Sequence, residues 1–154
     1  MNNLTFSVEP SIYQDLVSFY GEVFHLPPLA AKINSLLIFD FERKGISFEE
    51  LVDYYKASKS SVSTSLQLLL EHRLIAEKDS ASRKRYFVTN DRFIRIRFEE
   101  IVRRLQIELT LIDRLSDFRG EQDGASQQKF LIYRELLTNN LNNIENSLRQ
   151  LYDE

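Results

Sequence analysis

The sequence has no cysteine and no tryptophan, one methionine, two histidines, four glycines and three prolines in 154 residues. Without cysteine there is no disulfide, no thiol nucleophile and no thiolate zinc site, a usage that suits a reducing cytoplasm. So little glycine and proline leaves little material for long loops and favours helix. It also leaves no phosphate-cradling glycine loop. The histidines, His25 and His72, have no metal-ligand partner at helical spacing and read as structural. Glu49-Glu50 and Glu99-Glu100 are acidic pairs, but neighbours on a helix point apart, so neither is an acid/base dyad. The sequence therefore carries no catalytic constellation, no metal site and no cofactor motif, and a non-enzyme is expected. No stretch approaches the roughly 18 apolar residues of a membrane span. Residues 1 to 10 are polar and acidic, unlike a secretory leader. The expected location is the cytoplasm.

What is present is a helical pattern with charge unevenly spread. Between Lys56 and Arg97 stand ten basic and four acidic residues. That window carries +6 in a chain of net −3, so the remainder carries −9. A positive middle in an acidic protein can focus a polyanion onto one face, or it can be a cluster of solvated charges.

Residues 11 to 24 place Ile12, Leu16, Phe19, Tyr20 and Val23 on one helix face. Pro27-Pro28 ends that helix, and Pro28 suits the first turn of the next, expected to run from Leu29 to about Arg43 before Lys44-Gly45. Ser47-Phe48-Glu49-Glu50 is a capping box for a short helix with Leu51, Val52 and Tyr55 inward. After the turn at Ala57 to Lys59, Ser60 is the expected cap of another helix through about His72, with Val62, Leu66 and Leu69 inward. The period then changes. Residues 74 to 78 and 84 to 89 read as strands of a β-hairpin with a basic tip. From Asp91, Ile94, Phe98, Ile101, Leu105, Ile112 and Leu115 follow alternating spacings of four and three. After an interruption at 120 to 124, Phe130, Leu137, Leu141, Ile144, Leu148 and Leu151 carry the heptad on.

Short helix, turn, helix and basic hairpin in this order make a winged helix-turn-helix. The expected fold is mainly α with a small β-hairpin wing, plus long terminal dimerisation helices. Three regions follow: an N-terminal helix over 1–25 joining the dimerisation region, a DNA-binding domain over 26–90, and a helical dimerisation region over 91–154. The outward side of the second helix offers Ser58, Lys59, Ser60, Ser61, Ser63, Thr64 and Gln67. These side chains are small or hydrogen-bonding and none is acidic, so the helix can approach phosphates and base edges closely. Arg83, Lys84 and Arg85 at the hairpin would clamp a phosphate or enter the minor groove. A solvated helix face and a charged guard on a strand edge are the plainer readings of the same residues.

The stretches Leu26-Pro-Pro-Leu-Ala-Ala-Lys-Ile-Asn-Ser-Leu-Leu37, Ser47-Phe-Glu-Glu-Leu51, Ser58-Lys-Ser-Ser-Val-Ser-Thr-Ser-Leu66 and Arg83-Lys-Arg-Tyr-Phe87 together resemble the GbsR branch of the MarR-like regulators. The resemblance runs from about Phe19 to Leu115. It implies a homodimer held by terminal helices, palindromic sites on double-stranded DNA, and control by a small-molecule effector. It also implies that Ser60, Ser61, Ser63, Thr64 and Gln67 face bases or phosphates, with Arg83 and Arg85 in the wing. Arg73 stands where such proteins carry glycine. A left-handed conformation costs a non-glycine residue about 1 kcal/mol, which points to a differently built turn.

The expected function is a dimeric, sequence-specific DNA-binding transcriptional regulator, a repressor by competition with polymerase. The alternative is a winged-helix assembly module without DNA readout. Against it, the outward helix face is polar, and Leu68 is its one possible apolar anchor. Phe19, Tyr20, Phe24, Phe93 and Phe98 could line an effector pocket, although plain core is the simpler reading.

Overall fold

The computed structural model describes residues 4–81, 83–121 and 123–152. Among these described residues, six helices and a three-stranded antiparallel sheet form two compact units, divided between Phe93 and Ile94.

In the first unit, α1 (Pro10–Val23) and α2 (Pro28–Ile38) both start on a proline, where the missing N–H costs nothing. Glu9 caps α1 by accepting from the Ile12 amide at 2.6 Å. α1 lies along α2, and its inner face of Tyr13, Val17, Tyr20 and Phe24 packs on the core. Ile12, Phe19 and Val23 on its other side stay exposed.

α2 stops five residues short of the expected Arg43. Its last turn tightens as Phe39 and Asp40 donate to the carbonyls three residues back, Leu36 and Leu37. The nearly buried Asp40 carboxylate then accepts from the Lys44 and Gly45 amides at 3.2 and 2.8 Å. Arg43 and Gly45 take positive φ of 51° and 92°. The short side-chain acceptor of Asp40 competes with helix continuation and wins.

This turn delivers a strand that the sequence pattern did not announce. β1 (Ile46–Ser47) pairs antiparallel with β3 (Tyr86–Thr89), which pairs with β2 (Ile75–Lys78), so β3 is central. Two residues are too few to show an alternating period. The hairpin itself is where the sequence placed it, trimmed by one or two residues.

The capping box forms as expected: the Glu50 amide donates to Ser47 Oγ and the Ser47 amide to Glu50 Oε2, both at 3.1 Å. It opens α3 (Phe48–Tyr55), which ends on Lys56 in the left-handed conformation at φ 50°. α4 (Lys59–Glu71) follows. Its cap is Ser58, not Ser60: Ser58 Oγ accepts from the Ser61 amide at 3.1 Å. The left-handed Lys56 turns the chain early enough for Ser58 to take the extended conformation that a cap needs. One core joins these elements, with Ile33, Leu36, Leu37, Ile46, Leu51, Val62, Leu69 and Phe87 fully buried.

The second unit holds nearly all of α5 (Phe93–Arg119) and all of α6 (Gly124–Tyr152), joined at Gly120, whose φ is 73°. Arg134 binds Asp113 through two bonds of 2.9 and 3.2 Å, and the Tyr133 hydroxyl donates to Glu108. The register of the two helices is thus pinned by polar pairs. Val102 and Leu137 are buried, while Leu111, Leu115, Phe118, Leu131 and Leu136 remain exposed. No helix among the described residues is long and apolar enough to cross a membrane.

Candidate nucleic-acid interface

The face of α4 away from the core is built by period. Val62, Ser65, Leu66 and Leu69 are buried. Lys59, Ser60, Ser61, Ser63, Thr64 and Gln67 are exposed, as is the cap Ser58. Glu71, at the far end, is the only acid in the helix. It accepts from Gln67 Nε2 at 3.3 Å, which leans the Gln67 amide toward the C-terminal turn. Ser58 and Ser61 join hydroxyls at 2.8 Å, and the Ser58 oxygen is spent on the cap. Ser60, Ser63, Thr64 and Gln67 therefore form the outward row, three to four residues apart. Leu68 is half-buried against the core and is no outward anchor.

The turn between α4 and β2 is tight. Arg73 is left-handed at φ 58°, despite being no glycine, so the differently built turn suggested by its side chain is not found. Its amide donates to the Leu70 carbonyl at 3.0 Å, and its carbonyl accepts from Asn90 Nδ2 at 2.9 Å. Leu74 then donates to the Leu69 carbonyl and accepts from the Asn90 amide, both at 3.1 Å. Bonds from both sides hold the residue in a conformation it would not choose alone.

In the wing, Arg83, Lys84 and Arg85 are all exposed, but they are not equivalent. Arg83 lies in the loop. Arg85 turns back, donating through Nε and Nη2 to both carboxylate oxygens of Glu77 at 2.7 and 3.2 Å. Its guanidinium also lies 5.1 Å from the centre of the Phe87 ring. The hydrogen bond from Arg85 holds the Glu77 carboxyl below its usual range, and the same bond raises the Arg85 pKa. Glu77 is a partner that no motif in the sequence announces: only in the observed register does it face Phe87, with Arg85 as its diagonal neighbour on the same face.

The base of the wing is fixed on its other face. Lys78 Nζ donates to the Arg43 and Lys44 carbonyls at 3.1 and 3.2 Å. Arg43 Nη2 donates to the Thr89 carbonyl at 2.9 Å.

The aromatic residues considered for an effector pocket separate into two groups. Phe19, Tyr20, Phe24 and Phe93 pack ring against ring within the first unit, stacked, edge-on or tilted, with centroids 5.2 to 6.5 Å apart. Phe98 belongs to the second unit, where it lines a cavity of about 250 Å³ with Ile94, Ile144, Leu148 and Leu151. His25 is left-handed after α1, and His72 forms the C-terminal cap of α4.

No family model matches the chain. No curated protein matches it either. Among solved structures, it is similar to one described as a transcriptional regulator, with 22% identity and a TM-score of 0.56 over 94% of this chain and 98% of that one. It also matches MepR, described as a transcription regulator of the Staphylococcus aureus multidrug efflux pump MepA. There the identity is 18% and the TM-score 0.43, over 80% of this chain and 90% of that one. The first likeness agrees with a winged helix-turn-helix fold.

Proposed function

We propose that the protein is a homodimeric, sequence-specific DNA-binding transcriptional regulator of the MarR type, close to the GbsR branch, and that it represses by occupying its site. One observation carries the proposal. The exposed face of α4, from Ser58 to Gln67, is free of acids, rich in short hydroxyls, and belongs to a helix-turn-helix followed by a basic wing. Such a face can enter a phosphate-lined groove without repulsion and without bulk. Ser60, Ser61, Ser63, Thr64 and Gln67 would meet bases and nearby phosphates. Lys59 and the wing residues Arg83 and Lys84 would meet the backbone. Two copies would set their α4 helices about 34–36 Å apart, one turn of duplex. The likeness to a solved transcriptional regulator supports the reading at the level of fold.

Selection of bound duplexes from a random pool, followed by binding titrations, tests it. Binding should fall steeply with salt, because phosphate contacts release counterions. Gln67→Ala or Thr64→Ala should change the preferred base at one position per half-site, at about 1–3 kcal/mol of discrimination. A protein that retards no duplex at low salt is not such a regulator. Repeating the selection with candidate metabolites would identify a small-molecule effector by the binding it releases.

A further inference from the structure

We propose that Arg85 is a positioning residue that locks the wing, and that the wing's phosphate contact falls to Arg83 in the loop. The inference rests on the DNA-binding reading for its function, but its geometry stands apart from that reading. Arg85 is held from three directions. Its side chain forks onto both Glu77 oxygens, at 2.7 and 3.2 Å, which ties it to β2. Its guanidinium caps the ring of the fully buried Phe87, which ties it to the core. Its carbonyl accepts from the Phe48 amide at 3.1 Å, which ties it to the first residue of α3. The start of the wing's return strand is thereby fastened to the helix that braces α4.

Charge gives the same assignment. Strand alternation puts Glu77, Arg85 and Phe87 on one face of the hairpin. A bare Glu77 carboxylate there would repel a polyanion. Arg85 neutralises it and in doing so gives up its own free charge. Swinging Arg85 to a phosphate would break a bidentate pair and leave Glu77 uncompensated beside the same backbone. Both partners are about half exposed, so the pair stabilises the fold little; what it fixes is direction. Arg83, exposed in the loop, is not drawn into this arrangement.

The test uses the full chain and the duplex selected by the unaltered protein, titrated at several salt concentrations. Arg83→Ala should lower the slope of log affinity against log salt by about one, the loss of a single phosphate contact. The double variant Arg85→Ala with Glu77→Gln, which removes the pair and leaves no bare charge, should weaken binding roughly two- to fivefold at every salt concentration and leave the slope unchanged, the fold-change of an exposed ion pair. Arg85→Ala alone should bind more weakly than the double variant, because it bares the Glu77 carboxylate. A lowered slope for the double variant, or tighter binding by it than by the unaltered protein, overturns the assignment. Amide hydrogen exchange without DNA provides the second arm. Both variants should speed exchange at Phe48 and along the hairpin while sparing α2. Unchanged exchange there also overturns the role given to Arg85. If the unaltered protein binds no duplex, the DNA reading falls, and exchange alone still decides whether Arg85 holds the wing.

Discussion

Tyr55 joins three helices through one hydroxyl. It donates to the Lys32 carbonyl of α2 at 2.8 Å and meets the Tyr13 hydroxyl of α1 at 2.9 Å, while its own ring belongs to α3. Burial is the first cause that pushes both phenols above their ordinary range. The sign follows from linkage. Below about pH 10 both phenols are protonated folded or unfolded and add no pH dependence. Above it the unfolded chain loses protons that the folded chain keeps, so stability falls as pH rises. Tyr55→Phe should cost about 1–2 kcal/mol at neutral pH and flatten this alkaline loss; denaturant melts from neutrality to about pH 11 would measure both. A variant as stable as the parent would leave the hydroxyl without a structural role. Arg73 is the opposite case in legibility. Its side chain argued against a left-handed turn, yet the Asn90 side chain, seventeen positions along, holds it there. Local preference was readable in the sequence, and the distant bond that overrides it was not.

Ser58 and Ser60 separate what is legible in an element from what is not. That a helix begins near residue 59, with Val62, Leu66 and Leu69 inward, follows from period alone. Which serine caps it depends on Lys56 leaving α3 left-handed, a tertiary outcome that several adjacent serines cannot signal. Ser58→Ala should therefore cost about 1 kcal/mol of stability. Ser60→Ala, in an exposed first-turn position, should fall within about 0.5 kcal/mol of the parent. Urea denaturation of the two variants compares them directly, and equal losses would place the cap elsewhere. The candidate interface follows the same rule. The acid-free face of α4 is a matter of spacing and was readable. The engagement of Arg85 by Glu77 depends on hairpin register, and β1 on a turn made by Asp40.

The chain as a whole leaves a large apolar surface uncovered. Leu111, Leu115 and Leu136 are each more than half exposed, and Phe118 is 88% exposed. On the proposed reading a second copy covers them. Sedimentation at micromolar concentration should give twice the chain mass of 18.2 kDa, and Leu115→Glu with Leu136→Glu should return it to the single mass. A parent that sediments as one chain would remove the dimer. The net charge of −3 makes the same demand of the DNA reading, since attraction to phosphate must come from the +6 window rather than the whole surface.

On the proposed reading, the exposed residues of α4 between Lys59 and Gln67 set a limit of another kind. At about 1.5 Å per residue they span roughly 12 Å, close to four base pairs. Four base pairs specify about eight bits, or one site in some 256. A genome offering about 10⁶ competing positions requires roughly twenty bits. A single copy of this reading head is thus too short to find an address. Two copies reach about sixteen bits, and the remainder must come from how the intervening duplex bends and from where the wing settles in the neighbouring groove.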